Sequence, residues 1–164
     1  MRRIALLAAM AFGFACGGSS NNNQITLPET FTATMSPAGE FPPVTNAPGA
    51  TGTATLVNDG TTTTYTVTAN GLTGAVAASH IHLITTTGAA GGVIVPFPSA
   101  AGKPANGASI TGTFTAANIQ ASAPGAAVLT YDELMTQMRA GNIYANVHTA
   151  AHPNGEIAGI LKKQ

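Results

Sequence analysis

The stretch TGTATLVNDGTTTTYTVTANGLTG, residues 51–74, constrains the fold more than any other part of this chain. Ala54 and Leu56 alternate with Thr53 and Thr55. Beyond the turn, Tyr65, Val67 and Ala69 alternate with Thr64, Thr66 and Thr68. A period of two puts the apolar residues on one face of an extended strand and the threonines on the other. Asn58-Asp59-Gly60 between the two runs supplies a tight turn, with glycine where φ must be positive. The segment therefore predicts a β-hairpin with one face for a core.

The same texture continues along the chain. Short β-branched runs broken by Gly, Pro and Asn or Asp predict further strands at TFTATMS, SHIHLIT, GVIVPF, ASITGTF, NIYANVHT and GEIAGILK. Eight strands at this spacing predict an all-β domain, a Greek-key β-sandwich or barrel. Two segments break the pattern. FTAANI reads as a single helical turn capped by Thr115. LTYDELMTQMRAGN reads as a short amphipathic crossover helix, with a Thr130/Glu133 capping box, Leu134 and Met138 on one face and Gly141 ending it.

The first residues have a different composition. Arg2 and Arg3 precede the apolar run IALLAAMAFGFA, which is too short to span a bilayer and suits a signal peptide over residues 1–15. Cys16 is the single cysteine, so no intramolecular disulfide can form. It is followed by GGSSNNNQ, a polar flexible tether that extends to residue 26. The run, Cys16 and tether resemble the lipobox region of bacterial lipoproteins, which implies acylation of Cys16 and anchoring of the domain to a membrane through an N-terminal lipid. An ordinary signal peptide with an incidental thiol is the alternative. Either reading places the domain outside the cytoplasm, in the periplasm or on the cell surface.

Without Arg2 and Arg3, four basic residues (Lys103, Arg139, Lys162 and Lys163) face six acidic ones, a formal charge of −2. No cluster of Lys or Arg is available to neutralise phosphates, so nucleic acid is not an expected partner. The sequence contains no G-x-S-x-G, H-E-x-x-H, P-loop or cysteine-pair pattern. Catalysis is not indicated.

All four histidines occupy two short windows, ASHIHL and NVHTAAHPNGE. On a strand His80 and His82 share a face, with Ile81 and Leu83 opposite. In NIYANVHT, parity turns Ile143, Ala145 and Val147 inward and Tyr144, Asn146 and His148 outward. If the two strands are neighbours, the three imidazoles meet. Such a set suits copper or zinc. His152, in the loop TAAHPNG, is a candidate fourth ligand, and Glu156 beyond the turn is a candidate hydrogen-bond partner for a ring N–H. The competing reading is a hydrogen-bonded polar cluster that fixes loops and binds nothing.

FTATMSPAGEFPPV, ATGTATLV, YTVTANGLTG, ASHIHL, GTFTAANI and AGNIYANVHTAAHPNGEIAGIL together resemble the CHRD domain, over residues 27–162. GEFPPV, the His-x-His strand and NVHT…PNGEI are its most specific pieces. The resemblance implies a β-rich extracellular module and little more; the alternative to a metal-binding role is a structural or interaction module whose low-charge, Thr-rich surface meets a protein or glycan partner. Where the family often has Arg and Gln in its last strand, this chain has Ala158 and Ile160. The His-x-His strand is also similar to one in copper–zinc superoxide dismutase, but the bridging-ligand loop and disulfide of that enzyme have no counterpart here.

Overall fold

The computed structural model describes residues 27–47, 49–84 and 90–164. The expected signal peptide, Cys16 and the tether to residue 26 lie outside the described residues. Among the described residues nine strands form two antiparallel sheets. β1 (Glu29–Met35), β2 (Thr51–Asn58), β3 (Thr63–Asn70), β6 (Ala108–Phe114) and β9 (Lys162–Lys163) form one sheet, in the order β6-β3-β2-β1-β9. β4 (Val76–Ile84), β5 (Ala90–Pro96), β7 (Ile143–Thr149) and β8 (Ile157–Ile160) form the other, in the order β5-β4-β7-β8. The architecture is a sandwich and not a closed barrel.

The predicted hairpin is β2–β3. Leu56 lies opposite Tyr65 and Ala54 opposite Val67, and all four are buried. At the turn, Asp59 Oδ1 accepts from the backbone N–H groups of Thr61 and Thr62, and Gly60 has φ +106°. Tyr65 stacks on Phe97 with ring centroids 4.0 Å apart, and Phe31, Leu56, Ile81, Ile94, Ile110 and Ile143 fill the space between the sheets. Each such side chain contributes about 1.5–3 kcal/mol on burial.

The chain segment expected to form one last strand forms two. β8 belongs to one sheet and β9 to the other, with Leu161 between them. β1 follows the same change of sheet: its Phe31 and Thr32 pair with β9, and Ser36 just beyond its end bridges Ala158 of β8. One edge of the sandwich is thereby fastened.

The expected helix is α1 (Tyr131–Arg139), on the crossover between the sheets. Glu133 N–H donates to Thr130 Oγ1 at 3.2 Å and Thr130 N–H donates to Glu133 Oε2 at 2.8 Å, which is the expected capping box. Leu134 and Met138 are fully buried. The FTAANI turn is a single 3-10 turn, Ala116–Asn118, capped by Thr115. Arg139 at the end of α1 and Lys163 of β9 both bind the buried Glu29 carboxylate, at 2.5 and 2.7 Å, so three distant parts of the chain meet where β1 begins. Among the described residues no helix is long and apolar enough to cross a membrane.

Candidate metal centre

β4 and β7 are antiparallel neighbours, with Ala78 opposite His148, His80 opposite Asn146 and His82 opposite Tyr144. Strand parity is as the alternation requires. Ile81 lies in the core, Leu83 packs against it, and the imidazoles occupy the other face. That face, however, is not a solvent face. His82 is 7% exposed, His148 8%, Tyr144 2% and Asn146 1%, and every residue of β7 is buried. The segment carrying GEFPPV folds over it. Glu40 is buried there, and the Phe41 ring packs against Tyr144 with centroids 5.1 Å apart. Alternation reports which face meets the core and is silent about a loop that covers the other.

His80, His82 and His148 come together, each offering one ring nitrogen, with those nitrogens within 4.8 Å of one another. The shortest approach, His80 Nδ1 to His148 Nε2, is 3.2 Å. A metal bound tetrahedrally at about 2.0–2.1 Å would hold its nitrogens about 3.4 Å apart. One pair already stands close to that separation, and the third nitrogen lies within 4.8 Å of both.

Two backbone carbonyls set the tautomers. His82 Nδ1 is 3.0 Å from the Gly91 carbonyl, and His148 Nδ1 is 3.0 Å from the Pro153 carbonyl. A carbonyl only accepts, so each Nδ1 carries the proton and each Nε2 presents a lone pair. His148 Nε2 accepts from His80 Nδ1–H. His82 Nε2 is buried and has no hydrogen-bond partner. Tyr144 stacks on the His82 ring at 4.9 Å, 9° from parallel, and holds its plane.

The electrostatics keep all three rings neutral. Burial, followed by the His148 and His82 rings beside it, lowers the pKa of His80 to about 4. Burial also lowers those of His82 and His148, against the opposing effect of their carbonyl partners. Neutral imidazoles are the form that binds a metal. Glu40, by contrast, is raised to about 7, mainly by burial.

The other two candidates stand apart from this group. His152 sits in the turn after β7, where its backbone N–H donates to the Thr149 carbonyl and its carbonyl accepts from Gly155. It lines a hollow of about 340 Å³ with Phe41 and Pro42 and does not join the three-nitrogen cluster. Glu156 does not support a histidine ring. It is fully buried and accepts from Thr73 N–H and Thr73 Oγ1 at 2.7 Å and from Thr149 Oγ1 at 2.5 Å. The 153–155 turn directs its backbone so that the carboxylate reaches the threonines of the neighbouring loop and strand. The sequence reading assigned no role to the residues that complete the site. The Gly91 and Pro153 carbonyls are backbone groups that carry no side-chain signal. Glu40 was visible only as part of the GEFPPV motif.

Comparison with curated proteins and with solved structures found no match. The family model of the CHRD domain matches residues 31–161, which covers β2 to β8, most of β1, α1 and all three clustered histidines. The chain belongs to the CHRD-domain family.

Proposed function

We propose that this CHRD domain is a metal-binding module held outside the cytoplasm by a lipid on Cys16, and that it takes copper or zinc through His80, His82 and His148. The observation that carries the reading is the pair of Nδ1–H bonds to backbone carbonyls. They leave the Nε2 lone pairs of His82 and His148 free of protons, and His148 Nε2 stands 3.2 Å from His80 Nδ1, in a buried three-histidine cluster whose rings are neutral. Polar clusters that serve packing alone satisfy their buried atoms, whereas His82 Nε2 has no partner. His152 is not needed for this set. The module binds and does not catalyse.

The test is a zinc and copper(II) titration of the purified full chain beside a His80→Ala/His82→Ala double variant. Stoichiometric binding lost in the variant supports the reading; absence of binding by the wild-type chain overturns it. The lipid anchor is tested separately. Cys16→Ser should release the protein from membranes, and a variant that fractionates with membranes like wild type refutes acylation.

A second reading, a structural or interaction module for a protein or glycan, is favoured by one observation. A groove of about 670 Å³ runs beside β1 and β8, is lined by the 38% exposed Ile160 together with Thr32, Thr34 and Lys162, and reaches Glu40 and Phe41 of the segment that covers the histidine face. Under that reading the wild-type chain binds neither zinc nor copper, and Ile160→Asp abolishes capture of the protein or glycan partner.

A further inference from the structure

The buried side-chain polar atoms without a hydrogen-bond partner among the described residues are Glu40 Oε1, His82 Nε2 and Asn146 Oδ1. They lie together. Asn146 stands directly across from His80 in the β4–β7 ladder, and its carboxamide is close enough to both Glu40 and His82 to bias the protonation of each. Glu40 in turn acts electrostatically on Tyr144, the residue stacked on His82. An unsatisfied buried polar atom is destabilising by about 1–3 kcal/mol. Asn146 neighbours both Glu40 and His82, but its single NH2 pointed at one leaves its oxygen toward the other, so the chain alone does not satisfy all three atoms.

The ligands themselves bring no charge. Three neutral imidazoles leave a bound ion with its full charge in a buried site. The desolvation penalty rises with the square of that charge, so a divalent ion suffers roughly four times the penalty of a monovalent one. A nearby carboxylate offsets this, and offsets it twice as much for the divalent ion. The chain has six acidic residues, and five are otherwise engaged or distant. Glu29 is bound by Arg139 and Lys163. Asp59 closes the β2–β3 turn, and Asp132 and Glu133 lie in the first turn of α1. Glu156 accepts from Thr73 and Thr149. Glu40 is 4% exposed, has no cationic partner within salt-bridge distance and keeps one oxygen open. The backbone also leaves room for it: a Cβ at Gly155 would lie 2.3 Å from Glu40 Oε1.

We propose that Glu40, acting through the Asn146 carboxamide, is the counter-charge that sets the histidine site to take a divalent rather than a monovalent cation. The inference rests on the metal reading above and makes Glu40 a positioning residue, not a ligand. Asn146 can turn either its oxygen or its NH2 toward His82. With a metal on His82 Nε2, the NH2 group stays on Glu40 and holds the carboxylate ionised.

The experiment titrates the full chain with Zn(II) and, separately, with Ag(I), at about pH 8, in wild type, Glu40→Gln and Glu40→Asp. Gln is isosteric and neutral; Asp keeps the charge. Zinc affinity should fall roughly ten- to hundredfold in Glu40→Gln, as for loss of other outer partners of metal ligands. Silver affinity should fall by about the square root of that factor, roughly three- to tenfold, and Glu40→Asp should recover most of the zinc affinity. Equal losses for both ions in Glu40→Gln, or no loss for either, overturn the counter-charge while leaving the histidine site standing. Failure of wild type to bind either ion overturns both.

Discussion

The clasp on Glu29 offers the most quantitative prediction. Arg139 hydrogen-bonds the carboxylate, and with Lys163 it holds the Glu29 pKa at about 2, against an ordinary value of 4.5. At about 1.4 kcal/mol for each factor of ten, that drop corresponds to roughly 3 kcal/mol of folding stability at neutral pH. The Arg139 and Lys163 side chains are 26% and 44% exposed, so solvent screens part of it. Replacing Arg139 with Met keeps the aliphatic stem and removes the guanidinium, leaving Glu29 with Lys163 and Asn58. We expect a loss of about 2 kcal/mol at pH 7, a fall in melting temperature of roughly 5 °C. The sign of the pH dependence follows from a depressed carboxylate. Its stabilisation is fully present above the unfolded value near 4.5 and is lost as pH falls through 2. Urea unfolding of wild type and Arg139→Met should therefore show a constant gap from pH 7 to about pH 5 that narrows steadily below 4.5. No gap at neutral pH, or a gap that does not change down to about pH 2.5, would refute the assignment of this stability to the ion pair.

Three further outcomes are expected. In the metal-free protein, histidine-detected NMR should find His80 still neutral at about pH 5.5, where a free imidazole is roughly nine-tenths protonated, because its pKa is lowered to about 4; a midpoint near 6.5 contradicts the burial argument. Gly155→Ala should destabilise the domain by more than about 2 kcal/mol in urea melts, since Gly155 has φ +117° and the added Cβ would meet the Glu40 carboxylate; a neutral substitution would contradict that packing. Glu156→Gln should cost about 1–3 kcal/mol, because its amide oxygen keeps Thr73 N–H while an NH2 in place of Oε2 makes the Thr73 and Thr149 hydroxyls accept where they now donate to a carboxylate. Unchanged stability would mean that these contacts carry no net energy.

Much of this fold was legible locally. The Thr/Val alternation, the Asn58-Asp59-Gly60 turn and the Thr130/Glu133 box each act over a few residues, and each forms as the sequence predicts. Their physics does not depend on distant partners. The division of the last predicted strand at Leu161 was not legible, because it depends on β1 changing sheets at Ser36 beside it. At the site, parity put His80, His82 and His148 on one face, and the pairing of β4 with β7 did the rest. Burial of that face was missed. It comes from the GEFPPV segment, about 40 residues before the first histidine strand, and no periodicity encodes such a covering. Glu156 went astray for a related reason: its nearness to His152 in sequence suggested a ring contact, while the turn points its carboxylate at Thr73 of the neighbouring loop, distant only in sequence.

The claim that matters most concerns particular nitrogen atoms, and nitrogen-15 NMR of the histidine rings reads them directly. On adding one equivalent of Zn(II) to the full chain, the account predicts metal-bound shifts at Nε2 of His82, Nε2 of His148 and Nδ1 of His80, whose ring proton moves to Nε2 as the metal replaces its hydrogen bond to His148, with His152 unchanged and the Nδ1–H bonds to Gly91 and Pro153 retained. Unshifted rings, or coordination that runs through His152 in place of any one of the three, would contradict it.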